Sequence, residues 1–578
     1  MNDRLAMSIR IRRGVVLIVF GLLASVLAWR AMDLQLKNKE FLQDRGDARY
    51  LRTVNTRAHR GMITDRNGKP LAISTPVHSV SAQPQIMMRH VQIWPEIAEV
   101  IGTTTAHLEA LIVPRADKEF VYLKRHVSPE IAEALTEANF PGVALLEEQR
   151  RYYPAAEVTA HTLGFTNVDD DGQEGVELAY DQTLRGKQGR HKVIKDRIGR
   201  VIEFVGQIKP TIPGRQLTLS IDKRIQYIAY RELKAAVKAH DAEAGSMVIA
   251  DPNTGEVIAL VNQPSFNPNN RGELKGDHYR NRAVTDIFEP GSTIKPITIA
   301  AALESGHYHP QTLVGTDPGY FKVGRHVVTD TKNFGELDVT GVITKSSNVG
   351  ASKIALSLEP ELLWKVLHGV GFGTSSGTGL PGESTGHLSD ARNWRDIERA
   401  TLAFGYGVSV NAMQLTRAYS VLAADGILRP LSIIKLDRVS PGERVMSADT
   451  ARKLRSMMER VVTGGTGRAA SVAGYRVAGK TGTVHKSTAR GYAEDRYLSL
   501  FAGMLPAREP KLVAVVVIDE PKSGEHYGGR VAAPIFAKVM REAARVLGLT
   551  PDDLGDIKDD RFRMAARFNQ EVESGTSQ

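Results

Sequence analysis

The sequence predicts an α+β architecture: a central antiparallel sheet flanked by helices, preceded by an elongated β-rich pedestal and one N-terminal membrane-spanning helix. Three observations predict it. An uncharged apolar run opens the chain. Short strand signals separated by turn clusters such as Asp65-Arg66-Asn67-Gly68 fill residues 51–213. From residue 214, strand-like runs gather at both ends of a long segment whose middle is helical. With 578 residues, 42% of them hydrophobic and 24% charged, the chain can build more than one domain and a sizeable core.

Arg4, Arg10, Arg12 and Arg13 precede Gly14 to Trp29, a run without a charged residue that Arg30 closes. A bilayer takes about 20 apolar residues; Arg30 can snorkel, and Ala31 and Met32 extend the stretch. The run exceeds the apolar core of a cleaved leader, and no small-x-small site precedes polar sequence, so residues 14–32 read as an uncleaved anchor. Arginines ahead of the span keep residues 1–13 in the cytoplasm and put everything after about residue 33 outside. Residues 33–50 then form a polar, helix-compatible stalk, 51–213 the pedestal and 214–549 the second domain. Residues 550–578, polar and aperiodic, read as a mobile tail.

The chain has no cysteine, which excludes disulfides, iron–sulfur clusters, thiol nucleophiles and Cys-type zinc sites. Its net charge of +10 is spread along the sequence, as on a solvated basic surface facing an anionic envelope, and does not suit nucleic-acid binding. The pedestal histidines show no metal-ligand spacing. No metal or cofactor is expected.

In the second domain, residues 216–221 look like a strand and 222–237 like a helix with Asp222 as N-cap. Residues 246–250 and 257–261 flank the turn signal Asp251-Pro252-Asn253-Thr254-Gly255. Three more strand-like runs come late, at 475–478, 497–504 and 512–519. The predicted plan is one sheet whose strands come from both ends of the domain, with a helical insert from about 292 to 462 between them.

Three motifs in that domain carry chemistry: Ser292-Thr293-Ile294-Lys295, Ser346-Ser347-Asn348 and Lys480-Thr481-Gly482-Thr483. Ser292 follows the turn Glu289-Pro290-Gly291 and opens a helix that carries Pro296 in its first turn, where proline is tolerated. Ser292 and Lys295, three apart, share one helix face. A serine hydroxyl needs a base within hydrogen-bond reach, and Lys295 can be that base if burial and a second cation lower its pKa. Lys480 is the second cation. Ser346 can relay a proton to a leaving amine, and Asn348 can hold Lys295. The third motif follows the strand-like run at 475–478, which would aim the Lys480 ammonium into the cleft, while Gly482 lets a substrate backbone approach. The Ser292 and Thr483 backbone N–H groups would form an oxyanion hole. Together these spell serine acyl transfer. Two decoys lack the context: Ser265-Phe266-Asn267 lies upstream of Ser292, and Ser432-Ile433-Ile434-Lys435 sits in a strand pattern, where positions three apart point to opposite faces.

With these elements in order the chain resembles the class B penicillin-binding proteins, the monofunctional D,D-transpeptidases of septal peptidoglycan synthesis, over nearly its whole length. Arg60-Gly61-Met62-Ile63-Thr64-Asp65-Arg66-Asn67-Gly68, Arg150-Arg151-Tyr152-Tyr153-Pro154, Gly172-Gln173-Glu174-Gly175-Val176-Glu177 and Phe404-Gly405-Tyr406-Gly407 are similarly typical. The resemblance implies a serine beta-lactamase-like catalytic fold. In it Ser292 would attack the D-Ala-D-Ala carbonyl of a stem peptide, and a neighbouring stem's amine would resolve the acyl-enzyme into a cross-link. Lys480, Thr481 and Thr483 would hold the donor's terminal carboxylate, with Gly482, Tyr497 and Tyr406 completing the substrate site. Beta-lactams would acylate the same serine. It further implies a bacterial inner-membrane protein with a periplasmic catalytic domain, a multi-spanning glycosyltransferase partner and other division proteins. His485 stands where the pattern usually has Arg, and His526-Tyr527 where an aromatic pair usually packs, so an altered pocket wall and different beta-lactam preferences are expected. A beta-lactamase would need a Glu-x-x-x-Asn element between Asn348 and Lys480, and none is present. A D,D-carboxypeptidase, an elongation-type transpeptidase, a beta-lactam sensor and a structural scaffold are the other readings.

Overall fold

The computed structural model describes residues 2–37, 51–56, 58–195, 201–270, 276–488 and 491–553. Most of the predicted stalk and tail therefore lies outside the described residues. The chain divides into two compact units: Met1–His59, Val77–Glu148 and Gly186–Gly214 form one, and Arg60–Pro76, Gln149–Arg185 and Arg215–Gln578 the other. The pedestal segment of the sequence thus contributes to both.

The first unit begins with helix α1, Asn2–Met32. Within it and the turn that follows, Ile9–Gln35 is long and apolar enough to cross a membrane. Leu51–Thr56, Gly189–Lys195 and Val201–Lys209 form a three-stranded antiparallel sheet. A separate core gathers Val80, Ile97, Ile101, Leu108 and Leu135. Beside it the Glu148 carboxylate accepts from Ser79, Tyr122 and Arg125.

The second unit is built on a five-stranded sheet. Helix α2, Lys223–Ala239, starts where the Asp222 side chain accepts from the Arg224 N–H. Strands β1 (Ala244–Ala250) and β2 (Val257–Gln263) follow. The helical insert includes α3 (Lys295–Glu304), α4 (Val339–Lys345), α5 (Asn348–Ser357), α6 (Ala412–Ala423) and α7 (Ala448–Gly464). Strands β3 (Ala478–Thr488), β4 (Gly491–Leu505) and β5 (Leu512–Asp519), then helix α8 (Gly528–Leu547), close the unit. The order is β2-β1-β5-β4-β3, every pair antiparallel, as predicted from strands at both ends.

Strand β1 shows why both faces are covered. Met247 and Ile249 join the core that contains Ile225 and Leu233 of α2 and Phe536 and Val539 of α8. Val248 and Ala250 join the core of the helical insert, with Ile297, Leu415 and Leu454. A strand packed on both sides reads as an unbroken apolar run.

One expectation needs correction. The Lys480 motif does not follow a strand; it lies inside β3, which begins at Ala478. Gly479 and Gly482 depress the strand signal, but pairing of Lys480 with Ala502 and Thr483 with Ser499 fixes the extended backbone.

Candidate active site

Gly291–Ile294 forms a 3₁₀ turn that runs directly into α3, with Pro296 in the first α-helical turn. This turn presents Ser292 partly exposed, while Lys295, one turn on, is completely buried. Three contacts hold the turn. The Tyr419 hydroxyl donates to Thr293 O at 2.8 Å, and Thr298 Oγ1 donates to Ala403 O at 3.0 Å. The third is backbone on backbone: Gly291 N donates to Gly405 O at 3.2 Å, and a Cβ at Gly405 would lie 2.2 Å from Gly291 O. Only glycine fits there, and its φ of +95° asks for glycine independently.

The second motif is the junction of two helices. Asp338 caps α4, and Ser347 caps α5 by accepting from Gly350 N. Ser346 lies between them in the left-handed region at φ +62°, a strained setting for a non-glycine residue. The kink aims its hydroxyl at the other motifs. Ser346 Oγ donates to Ser292 Oγ at 3.1 Å, and accepts from Lys480 Nζ at 3.0 Å and Lys295 Nζ at 3.2 Å. Lys295 Nζ also donates to Ser346 O at 2.6 Å and Asn348 Oδ1 at 2.7 Å.

Two ammonium groups therefore meet at one hydroxyl, both fully buried and neither in a salt bridge with any of the described residues. Lys295 is held well below the ordinary lysine range, chiefly by burial and then by the charge of Lys480, with the Asp330 carboxylate pulling the other way. Burial pushes Lys480 down to about 7. A buried lysine that sheds its proton near neutrality beside a serine hydroxyl is equipped for nucleophilic catalysis.

A family model of the penicillin binding protein transpeptidase domain matches residues 245–541, and one of the penicillin-binding protein dimerisation domain matches residues 55–219. The chain is 42% identical over 547 residues to the peptidoglycan D,D-transpeptidase FtsI of Escherichia coli K12, covering 94% of this chain and 92% of that protein. It is 40% identical over 543 residues to the probable peptidoglycan D,D-transpeptidase PbpC of Pseudomonas aeruginosa, covering 94% and 96%. This chain belongs to the penicillin-binding protein transpeptidase family. The solved transpeptidase domain of Burkholderia pseudomallei penicillin-binding protein 3 is 44% identical with a TM-score of 0.54, covering 58% of this chain and 98% of that one. A peptidoglycan synthetase from Bifidobacterium adolescentis, 24% identical with a TM-score of 0.69 over 87% of this chain and 98% of that one, shares the fold.

The remaining residues predicted for the transpeptidase site take definite places. Thr481 Oγ1 bonds Thr466 Oγ1 at 2.7 Å, and Thr483 Oγ1 accepts from Gly528 N at 3.0 Å. Gly482 packs against Thr293: a Cβ there would sit 3.0 Å from the Thr293 methyl. Tyr497 lies opposite His485 in the β3–β4 pair. Its ring stacks on His526 at 4.1 Å and tilts against His485 at 4.6 Å. His485 Nδ1 bonds Ala493 O at 2.8 Å, so His485 and His526 are built into one aromatic column with Tyr497. Tyr406 meets Tyr492 edge to face at 5.4 Å, and the Tyr492 hydroxyl donates to Glu289, three residues before Ser292.

Sequence reading missed Asp330. Its carboxylate accepts from Ser347 Oγ and Asn348 N, both at 2.5 Å, and from Val349 N at 3.1 Å, so it seats Ser347 and Asn348 of the second motif. Glu289 and Thr466 were missed as well. The decoys stay inert: Ser432 Oγ donates to Ile434 O and Lys435 Nζ to Arg66 O, while Ser265 Oγ donates to Glu157 O.

Proposed function

We propose that Ser292 is the nucleophile of a peptidoglycan D,D-transpeptidase and that Lys295 is its base. The observation that carries this reading is the meeting of Ser292 Oγ, Lys295 Nζ and Lys480 Nζ at Ser346 Oγ. Ser292 Oγ attacks the penultimate D-Ala carbonyl and gives its proton to the junction. The Ser292 and Thr483 backbone N–H groups hold the oxyanion, each worth about 3 kcal/mol. Ser346 returns the proton to the departing D-Ala amine, and Lys480, Thr481 and Thr483 hold that residue's carboxylate. The amine of a second stem peptide then attacks the ester carbonyl; the new C–N bond is the cross-link and Ser292 is released. Gly482, Tyr406 and Tyr497 line the substrate groove.

On this reading α1 is a single-pass anchor in a bacterial inner membrane, with Arg10, Arg12 and Arg13 cytoplasmic and the catalytic unit periplasmic. Septal synthesis beside a multi-spanning glycosyltransferase is the matching setting. The test is covalent labelling with a fluorescent penicillin, wild type against Ser292→Ala, with the adduct followed over hours. A stable adduct lost in the variant is expected; labelling that survives in the variant, or an adduct released in minutes, overturns the proposal.

A further inference from the structure

The three-stranded sheet of the first unit exposes a cluster of apolar side chains. Phe204 is 71% exposed, Ile208 50%, Val205 49% and Ile212, just beyond the strand, 48%. Val193 pairs with Phe204 and Lys192 with Gly206, so Val205 is the extra residue of a bulge, a device that re-aims side chains along a strand. Around the cluster stand exposed Lys187, Arg190, Lys192 and Lys209, against Glu203 alone among the described acidic residues of Gly189–Lys195 and Val201–Lys209.

The chain ties this sheet to α1. Its strand Leu51–Thr56 is the first after the apolar helix, and the residues between Lys37 and Leu51 span at most about 50 Å even fully extended. Apolar side chains flanked by Lys and Arg are the composition of segments that lie in the headgroup layer of a bilayer, where each basic residue near an anionic surface adds about 1 kcal/mol. The cores of protein interfaces are instead depleted in lysine.

We propose that this hairpin is a second membrane contact: Phe204, Val205, Ile208 and Ile212 enter the headgroup layer while Arg190, Lys192 and Lys209 meet lipid phosphates. The inference rests on α1 being the anchor. A two-point attachment would hold this sheet close to the bilayer.

The absence of cysteine makes the test clean. Nitroxide labels are placed singly at Val19→Cys, Phe204→Cys and, as a water-exposed reference, Tyr227→Cys in the full chain, in nanodiscs of phosphatidylethanolamine and phosphatidylglycerol without any other protein. Collision with oxygen and with a water-soluble nickel chelate reports depth. Expected are a deep label at 19 and, at 204, chelate collisions several-fold below those at 227. A deep label at 19 with 204 as wet as 227 overturns the inference and leaves the patch to a protein partner. A wet label at 19 overturns the anchor and the inference with it.

Discussion

Two of the places where the catalytic unit buries positive charge have opposite consequences. Around Glu177, the Arg60 and Arg151 side chains are each 1% exposed, and both are answered: Arg60 Nε meets Glu177 at 2.7 Å, Arg60 Nη1 meets Asp181 at 2.7 Å, and Arg151 Nε meets Glu177 at 2.6 Å. Burial alone would pull Arg60 down, but the Glu177 and Asp181 carboxylates outweigh it and hold the group above its ordinary value. Around Ser346 two lysines are just as buried and share a hydroxyl instead of a carboxylate, and both fall. Burial does not make a cation reactive. On the proposed mechanism, a buried lysine without a partnering anion becomes reactive, because the protein then lowers the cost of giving the proton away.

The sharpest way to break this contrast is Lys295→Met, which keeps the volume and removes the base. Loss of a general base typically costs 10²–10⁴-fold, so the acylation rate by penicillin should fall by about that factor while urea stability changes little, removal of a buried ammonium without an anion offsetting the loss of its hydrogen bonds to Ser346 and Asn348. Stopped-flow acylation and urea melts measure the two. Unchanged acylation would remove Lys295 from the mechanism, and a large loss of stability would show that its charge supports the fold.

Glu177→Gln tests the other cluster. It leaves Arg60 and Arg151 buried with less than a full counter-charge, which costs about 3–5 kcal/mol when a buried pair is broken. The expected result is a lower urea midpoint, with penicillin acylation per folded molecule unchanged well below the melting transition. If acylation falls and stability holds, the cluster belongs to the chemistry and the contrast fails.

Legibility followed the same line. The three motifs could be read because each is a short run whose spacing sets its own geometry: Ser292 and Lys295 are one helical turn apart, and Ser346 to Asn348 spans a helix junction. The sheet could be read because 247–250 of β1 and 512–518 of β5 are buried on both faces and show it as unbroken apolar runs. What could not be read depends on chain-distant partners. Arg60 and Glu177 lie 117 residues apart, and nothing local tells a paired arginine from a solvated one. Strand β3 was hard to read at its start because Gly479 and Gly482, the second of which lets Thr293 approach, are poor strand formers. What seats the Ser346 junction could not be read, since Asp330 sits in a stretch, Thr329-Asp330-Thr331-Lys332-Asn333, that reads as an ordinary polar turn.

Asp330 is where the two kinds of cluster meet, for it is the carboxylate that Lys295 feels without being bonded to it. Asp330→Asn keeps the shape and removes the charge. Hydrogen bonds to a charged group are worth about 1.5–3 kcal/mol, so looser seating of Ser347 and Asn348 should lower maximal acylation by roughly ten- to a hundredfold. The pH dependence carries the finer information. On the proposed mechanism acylation needs neutral Lys295, so the rate rises with pH through the lysine's titration. Asp330 raises that titration and Lys480 lowers it. Asp330→Asn should therefore move the rising limb to lower pH, and Lys480→Ala should move it to higher pH, each against wild type. Opposite displacements identify the limb as Lys295 and make Asp330 the brake on an otherwise unanswered charge. Displacement in the same direction, or none, would mean that the limb belongs to another group and that the contrast between the two buried clusters does not govern the chemistry.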